Sequence, residues 1–136
     1  MNTPIKEESM EQLVKGIHHF SMKCTAQQLE GVMEFYHGLL GFPIVRRWEG
    51  GLMLDTGSGL LEVFSTGEGS HEKGAIRHIA LACADTDRCA AILEEAGYRV
   101  FIGPKDIEIP SGPPLFARIA FCTGPIGEEI EFFQEK

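Results

Sequence analysis

Four residues of this chain have the types and spacing for metal chemistry: His19, Glu62, His78 and Glu131. A set of two imidazoles and two carboxylates is borderline-to-hard in character. It suits Ni²⁺, Co²⁺, Zn²⁺ or Mn²⁺ rather than a metal that wants thiolates. What singles the four out is repetition. Ile17-His18-His19-Phe20-Ser21-Met22-Lys23-Cys24 aligns with Ile76-Arg77-His78-Ile79-Ala80-Leu81-Ala82-Cys83 at a constant offset of 59. Thr56-Gly57 ahead of Leu61-Glu62-Val63-Phe64 likewise parallels Thr123-Gly124 ahead of Ile130-Glu131-Phe132-Phe133. Each half of the chain thus carries one His early and one Glu late, the mark of a duplicated structural unit.

The elements that would position these residues follow the same repeat. Each His-bearing segment reads as a strand followed by a helix, about Gln27 to Leu40 in the first half and about Asp87 to Ala96 in the second. Both helices end at a glycine, Gly41 and Gly97, where a C-terminus favours a residue free to adopt positive φ. Thr25, and Asp85 or Thr86, fit the N-cap positions. Extended stretches come next, Pro43 to Trp48 and Tyr98 to Ile102, then two more strand-like runs with turn residues between them. Gly103 to Pro114, rich in Pro and Gly, is expected to be a long loop that could serve as a lid, and Gly67 to Gly74 a linker. Each half is therefore β-α-β-β-β, and one such module cannot enclose a core alone. The expected fold is α+β: a single domain over residues 1–136 made of two βαβββ modules, about 16–66 and about 75–135, forming a curved mixed sheet with helices outside.

Strand alternation sorts the polar residues by face. In the first strand Phe20, Met22 and Cys24 fall on the helix side, and His19, Ser21 and Lys23 on the other; by the same parity His18 goes with the helix side or its edge and is not expected to be a ligand. Leu61 and Val63 take the helix side, leaving Glu62 with Leu60 and Phe64. Ile130 and Phe132 do the same, leaving Glu131 with Glu129 and Phe133, while His78 keeps company with the small residues Ala80 and Ala82. A lone strand histidine is ordinarily a hydrogen-bonded structural residue, and a lone strand glutamate ordinarily faces water. Glu62 differs because Leu60 and Phe64 flank it on its own face, and a carboxylate in apolar surroundings needs a counter-charge. One divalent cation shared by His19, Glu62, His78 and Glu131 would supply it.

Composition narrows the function classes. At 136 residues and 43% hydrophobic, the chain suits one compact domain with a real core. Twenty acidic against 12 basic residues leave a formal charge of −8, which repels nucleic-acid backbones and anionic membranes. No run reaches the length that spans a bilayer and the first residues do not read as an export signal, so the expectation is a cytoplasmic protein. The four cysteines, Cys24, Cys83, Cys89 and Cys122, include no C-x-x-C, so they are expected as reduced thiols, with Cys24, Cys83 and Cys122 packed as small core residues. His37 and His71 are read as surface residues.

These features resemble the vicinal oxygen chelate superfamily, and within it the short bacterial glyoxalase I (lactoylglutathione lyase) type. The resemblance is carried by Ile17 to Lys23, by Phe35-Tyr36 with Leu39-Leu40-Gly41-Phe42, by Leu61-Glu62-Val63, by Arg77 to Leu81 and by Ile130 to Phe133. It implies metal ligation by His19, Glu62, His78 and Glu131, with Glu131 shuttling a proton between neighbouring carbons and Glu62 as its partner on the opposite face. It further implies isomerisation of a methylglyoxal-thiol hemithioacetal to a hydroxyacyl thioester through a metal-bound enediolate, in a homodimer whose sites combine modules of two subunits. Acyl-CoA epimerases of the same frame carry Gln where Glu62 stands, and the metal-free bleomycin-resistance relatives lack the full ligand set. These are the alternatives: another chelating substrate, or a small-molecule binding and resistance protein. Lys23 and Thr66 occupy the places of the family's glutathione-contacting Arg and Asn. Lys keeps the charge but not the bidentate fork, which leaves open glutathione or another thiol. Lys23, Phe64, Thr66 and Trp48 are the expected substrate contacts.

Overall fold

The computed structural model describes residues 17–68, 74, 76–111 and 113–136. The elements run β1 (His19–Lys23), α1 (Leu29–Met33) continuing as π-helical turns over Glu34–Leu39, β2 (Ile44–Trp48), β3 (Gly51–Asp55) and β4 (Leu60–Phe64). The second series is β5 (Ile79–Ala82), α2 (Thr86–Glu95), β6 (Val100–Ile109), β7 (Leu115–Thr123) and β8 (Glu129–Glu135). The strands form two four-stranded sheets of the same design, β1-β4-β3-β2 and β5-β8-β7-β6. In each, the first strand lies parallel to the last while the remaining pairs are antiparallel. The molecule is thus α+β, built from two βαβββ modules. Most of the linker stretch Gly67 to Gly74, with His71, lies outside the described residues.

Among the described residues two compact units are distinguished, Gly16–Ile76 with Gly124–Glu128, and Arg77–Thr123 with Glu129–Lys136. In the first, Val32, Phe35 and Tyr36 of the helical segment are buried together with Leu52, Leu54, Leu61, Val63 and Cys24. These strand residues share one parity, as the alternation required. Phe20, of the same parity, is instead 40% exposed. The β7–β8 turn belongs to this unit through Glu128, which accepts a 2.8 Å hydrogen bond from the hydroxyl of the buried Tyr36 and another from the backbone N–H of Ile126. Thr25 and Gln28 bond each other's backbone N–H groups through their side chains just ahead of α1, the reciprocal pattern of a capping box. The helix then widens. Leu40 N–H reaches the Phe35 carbonyl, five residues back, before Gly41 ends the segment at φ 79°.

In the second unit Ala90 and Leu93 of α2 are buried with Ala120, Cys122, Ile130 and Phe132. Asp85 is the N-cap, accepting from Arg88 N–H. Thr86, fully buried, donates its hydroxyl to the Arg118 carbonyl. Arg118 grips Asp87 through two nitrogens, at 2.6 and 3.0 Å, and Asp106 through a third at 3.1 Å, tying β7 to α2 and β6. The guanidinium holds the Asp87 carboxyl below the ordinary aspartate range. Cysteines 24, 83, 89 and 122 are all free; burial pushes the Cys24 thiol up, and burial beside Cys83 pushes Cys89 up to about 11. Cys83 is only half-buried, less than its strand pattern implied.

The expected loop and lid over Gly103 to Pro114 is corrected by the structure. β6 continues to Ile109 and pairs with β7 as far as Ile109 opposite Leu115. Register shifts between Ile102 and Lys105 absorb the Gly-Pro pair: Gly103 takes φ 76°, and a side chain there would run into the Ile119 carbonyl. A bulge accommodates a residue with no N–H and one with positive φ without ending the strand.

Replacing Tyr36 by Phe is expected to lower unfolding free energy by about 1–2 kcal/mol, the scale of one part-buried hydrogen bond to a charged acceptor, read as a lower urea midpoint at unchanged slope. The Arg118–Asp87 pair gives a pH signature. Because the folded carboxyl is held below its unfolded value, its stabilisation is present above pH ~4 and lost as pH falls below that. The difference in Tm between wild type and Asp87→Asn should therefore shrink from pH 7 to pH 3.

Candidate functional site

Register places the four expected ligands on equivalent spots. In the first module Ser21 pairs with Glu62 across the parallel β1·β4 ladder, and His19 sits two residues earlier on the same face. In the second, Ala80 pairs with Glu131 across β5·β8, and His78 again precedes it by two. Each histidine is thus the diagonal neighbour of its glutamate. His19 Nε2 lies 3.6 Å from Glu62 Oε1, and His78 Nε2 lies 3.3 Å from Glu131 Oε1. The carboxylates are well covered, 14% and 10% exposed, whereas the imidazoles are about 40% exposed. Each pair thus has a sheltered anion with its nitrogen partner at the rim.

Donor atoms about 2.0–2.2 Å from one ion lie roughly 3 to 3.4 Å apart, a spacing that the 3.3 Å His78–Glu131 pair matches and the 3.6 Å His19–Glu62 pair slightly exceeds. The donor chemistry fits as well: neutral imidazole and carboxylate are the ligand types that Zn²⁺, Ni²⁺, Co²⁺ and Mn²⁺ accept. Each pair supplies two ligands only. Among the described residues no three or more His, Cys, Asp or Glu side chains gather into a metal-holding group.

The face around Glu62 is set by the β2–β3–β4 hairpins. Met53 is opposite Glu62, Gly51 opposite Phe64 and Trp48 opposite Gly51, so all share the side of His19, Ser21 and Lys23. Trp48 lies over Gly51, where a Cβ would collide with the indole, and its ring meets Phe64 edge-on at 5.7 Å. Lys23 is level with Phe64 in the β1·β4 register. Three of the four expected substrate contacts, Lys23, Phe64 and Trp48, therefore stand on one face with Glu62. Thr66 lies beyond β4, exposed, its methyl close to Gly50. In the second module His78 meets Phe121 edge-on at 5.1 Å, and Phe121 is opposite Glu131. Met53 and Phe121 were not singled out in the sequence; the signal was their parity in β3 and β7, readable once the hairpin registers are known.

His18 departs from the alternation. It precedes β1 rather than lying in it, and its ring turns toward His19, with the two Nδ1 atoms 2.9 Å apart and the rings at 85°. His37 is exposed, its Nδ1 at 2.8 Å from the Phe42 carbonyl.

The sequence model described as Glyoxalase/Bleomycin resistance protein/Dioxygenase superfamily matches residues 16–132. No curated protein matches the sequence. Among solved structures, TnmS3, an antibiotic binding protein from Streptomyces sp. CB03234, is 23% identical with a TM-score of 0.70, covering 93% of this chain and 100% of its own. A lactoylglutathione lyase from Agrobacterium tumefaciens is 17% identical with a TM-score of 0.64, covering 89% of this chain and 94% of its own. A glyoxalase/bleomycin resistance protein/dioxygenase from Alicyclobacillus acidocaldarius is 18% identical with a TM-score of 0.62, covering 89% and 92% respectively. At these identities the likeness is one of fold. Among the described residues no helix is long and apolar enough to cross a membrane.

Trp48 is the single tryptophan and so reports on this face directly. Gly51→Ala should displace the indole toward solvent, shifting its emission to longer wavelength while the far-ultraviolet circular dichroism stays as in wild type.

Proposed function

The chain belongs to the Glyoxalase/Bleomycin resistance protein/Dioxygenase superfamily, and on that premise we propose that it is a metal-dependent lyase of the glyoxalase I type, acting on a 2-oxoaldehyde-thiol adduct. The observation that carries this reading is the pairing of one imidazole nitrogen with one sheltered carboxylate at the same register position of both modules. In this reading one divalent ion is held by His19, Glu62, His78 and Glu131, one pair from each of two modules, in a homodimer. The metal would supply Lewis-acid stabilisation of negative charge developing on the substrate's vicinal oxygens.

The chain's own residues do the rest. Glu131 is the proton carrier: its carboxylate takes the proton from the carbon bearing sulfur and returns it to the neighbouring carbon, turning the hemithioacetal into a hydroxyacyl thioester. Its cover supports this role, since Glu131 is only 10% exposed and stands opposite the apolar Phe121. Glu62 serves as its counterpart from the other module. Trp48 and Phe64 form an apolar wall, and Lys23 offers a single positive charge for an anionic thiol conjugate. A point charge tolerates varied carboxylate geometry, which supports a thiol other than glutathione as readily as glutathione itself.

A second reading, a metal-free small-molecule binding protein, draws on the Trp48–Phe64 wall, which could hold a flat apolar ligand without chemistry. An acyl-CoA epimerase-like enzyme is the third, and Glu62 in place of Gln weighs against it. Elemental analysis of protein purified without added metal, with assays of methylglyoxal plus glutathione and other thiols, separates them. Stoichiometric metal with turnover is the expected result, and absence of both sinks the lyase reading. Glu131→Gln should keep the metal while turnover drops by about 10²–10⁴-fold, the usual worth of a positioned acid-base group; unchanged turnover removes Glu131 from the chemistry.

A further inference from the structure

His19 and His78 play equivalent parts in the two modules, yet their surroundings differ in one respect. The residue before His78 is Arg77, whose guanidinium carries no acceptor. The residue before His19 is a second histidine, and its Nδ1 lies 2.9 Å from His19 Nδ1. Two nitrogens at that distance form a hydrogen bond only if one carries the proton and the other a lone pair. The direction of that bond decides what His19 can do at its far side. With the proton on His19 Nδ1, Nε2 presents a lone pair toward Glu62; with the proton on His18, Nε2 carries a hydrogen and cannot bind a cation. The 3.6 Å from Nε2 to Glu62 Oε1 is longer than a hydrogen bond, so no N–H···O bond to Glu62 fixes the proton on Nε2.

His18 is held for this purpose by its backbone. Its carbonyl accepts from Leu60 N–H at 2.9 Å, locking it to the start of β4. Gly59 lets the chains approach this closely: a Cβ there would stand 3.2 Å from the Ile17 carbonyl oxygen. The ring itself is exposed, so water can accept a proton from its Nε2 and leave Nδ1 free to act as acceptor.

We propose that His18 is a positioning residue for the first-module pair: its Nδ1 accepts from His19 Nδ1–H and holds His19 in the tautomer whose Nε2 is open to a divalent cation. This rests on the reading of His19 as a ligand. Partners of this kind are ordinarily worth about ten- to a hundred-fold in metal affinity. In the second module the His78 ring stands against the Phe121 ring instead.

Long-range ¹H–¹⁵N NMR of the metal-free protein tests the tautomer with no dependence on metal or activity. A proton on His19 Nδ1 is expected, and one on Nε2 overturns the proposal. Cobalt titration followed by visible absorption tests the consequence. His18→Leu, which has no acceptor, should bind Co²⁺ about ten- to a hundred-fold more weakly than wild type. His18→Asn, whose Oδ1 can stand where Nδ1 stood, should restore the affinity, and all three metal-free proteins should share one Tm. Equal affinity for wild type and His18→Leu overturns the proposal, as does His18→Asn falling as far as His18→Leu. If wild type binds no cobalt, or His19→Ala binds it as wild type does, the ligand reading itself fails and takes the proposal with it.

Discussion

A carboxylate held on a mostly covered sheet face must be balanced by positive charge or by donors, and in this protein each such carboxylate has an imidazole nitrogen beside it, at 3.3 or 3.6 Å. Neither spacing is a good hydrogen bond. A cation placed between them would neutralise the carboxylate. A parallel pairing of first and last strand is what allows a histidine and a glutamate from distant parts of a module to become diagonal neighbours on one face.

The remaining strands shape what surrounds the pair. Antiparallel hairpins carry Met53, Gly51 and Trp48 to the Glu62 side in the first module, and Phe121 and Ile119 to the Glu131 side in the second. Leu52, Leu54, Leu61 and Val63, of the opposite parity, are buried in the first module, while in the second Ala117 and Ile119 on the Glu131 side are buried as well. Gly51 matters there for what it lacks, since the indole of Trp48 occupies the volume a side chain would fill.

The two modules share a topology but not their fastenings. The first helical segment is short and π-widened, and its Tyr36 is tied to Glu128 in the β7–β8 turn. The second helix is longer, capped by Asp85 and clamped through Asp87 to Arg118. The histidines differ likewise, one beside a neighbouring imidazole and the other against a phenyl ring. Duplication preserved the register that pairs His with Glu, while each copy found its own means of holding the ring.

The order of elements, the two-module frame and the side of the sheet on which His19, Glu62 and Glu131 lie were legible from the repeat and from strand parity, because alternation is a local property of the backbone. Tertiary structure decided what local rules could not. Gly103-Pro104 reads as a chain break, yet pairing with β7 absorbs it in a bulge, since a long ladder of cross-strand bonds outweighs one missing donor. Parity assigned His18 to the helix side or its edge, and only the tertiary structure shows that it stands just outside the strand with its ring turned to His19. Which hairpin residues flank the carboxylates depends on register across strands distant in sequence, and register is set by the packing of whole sheets rather than by any single stretch of chain.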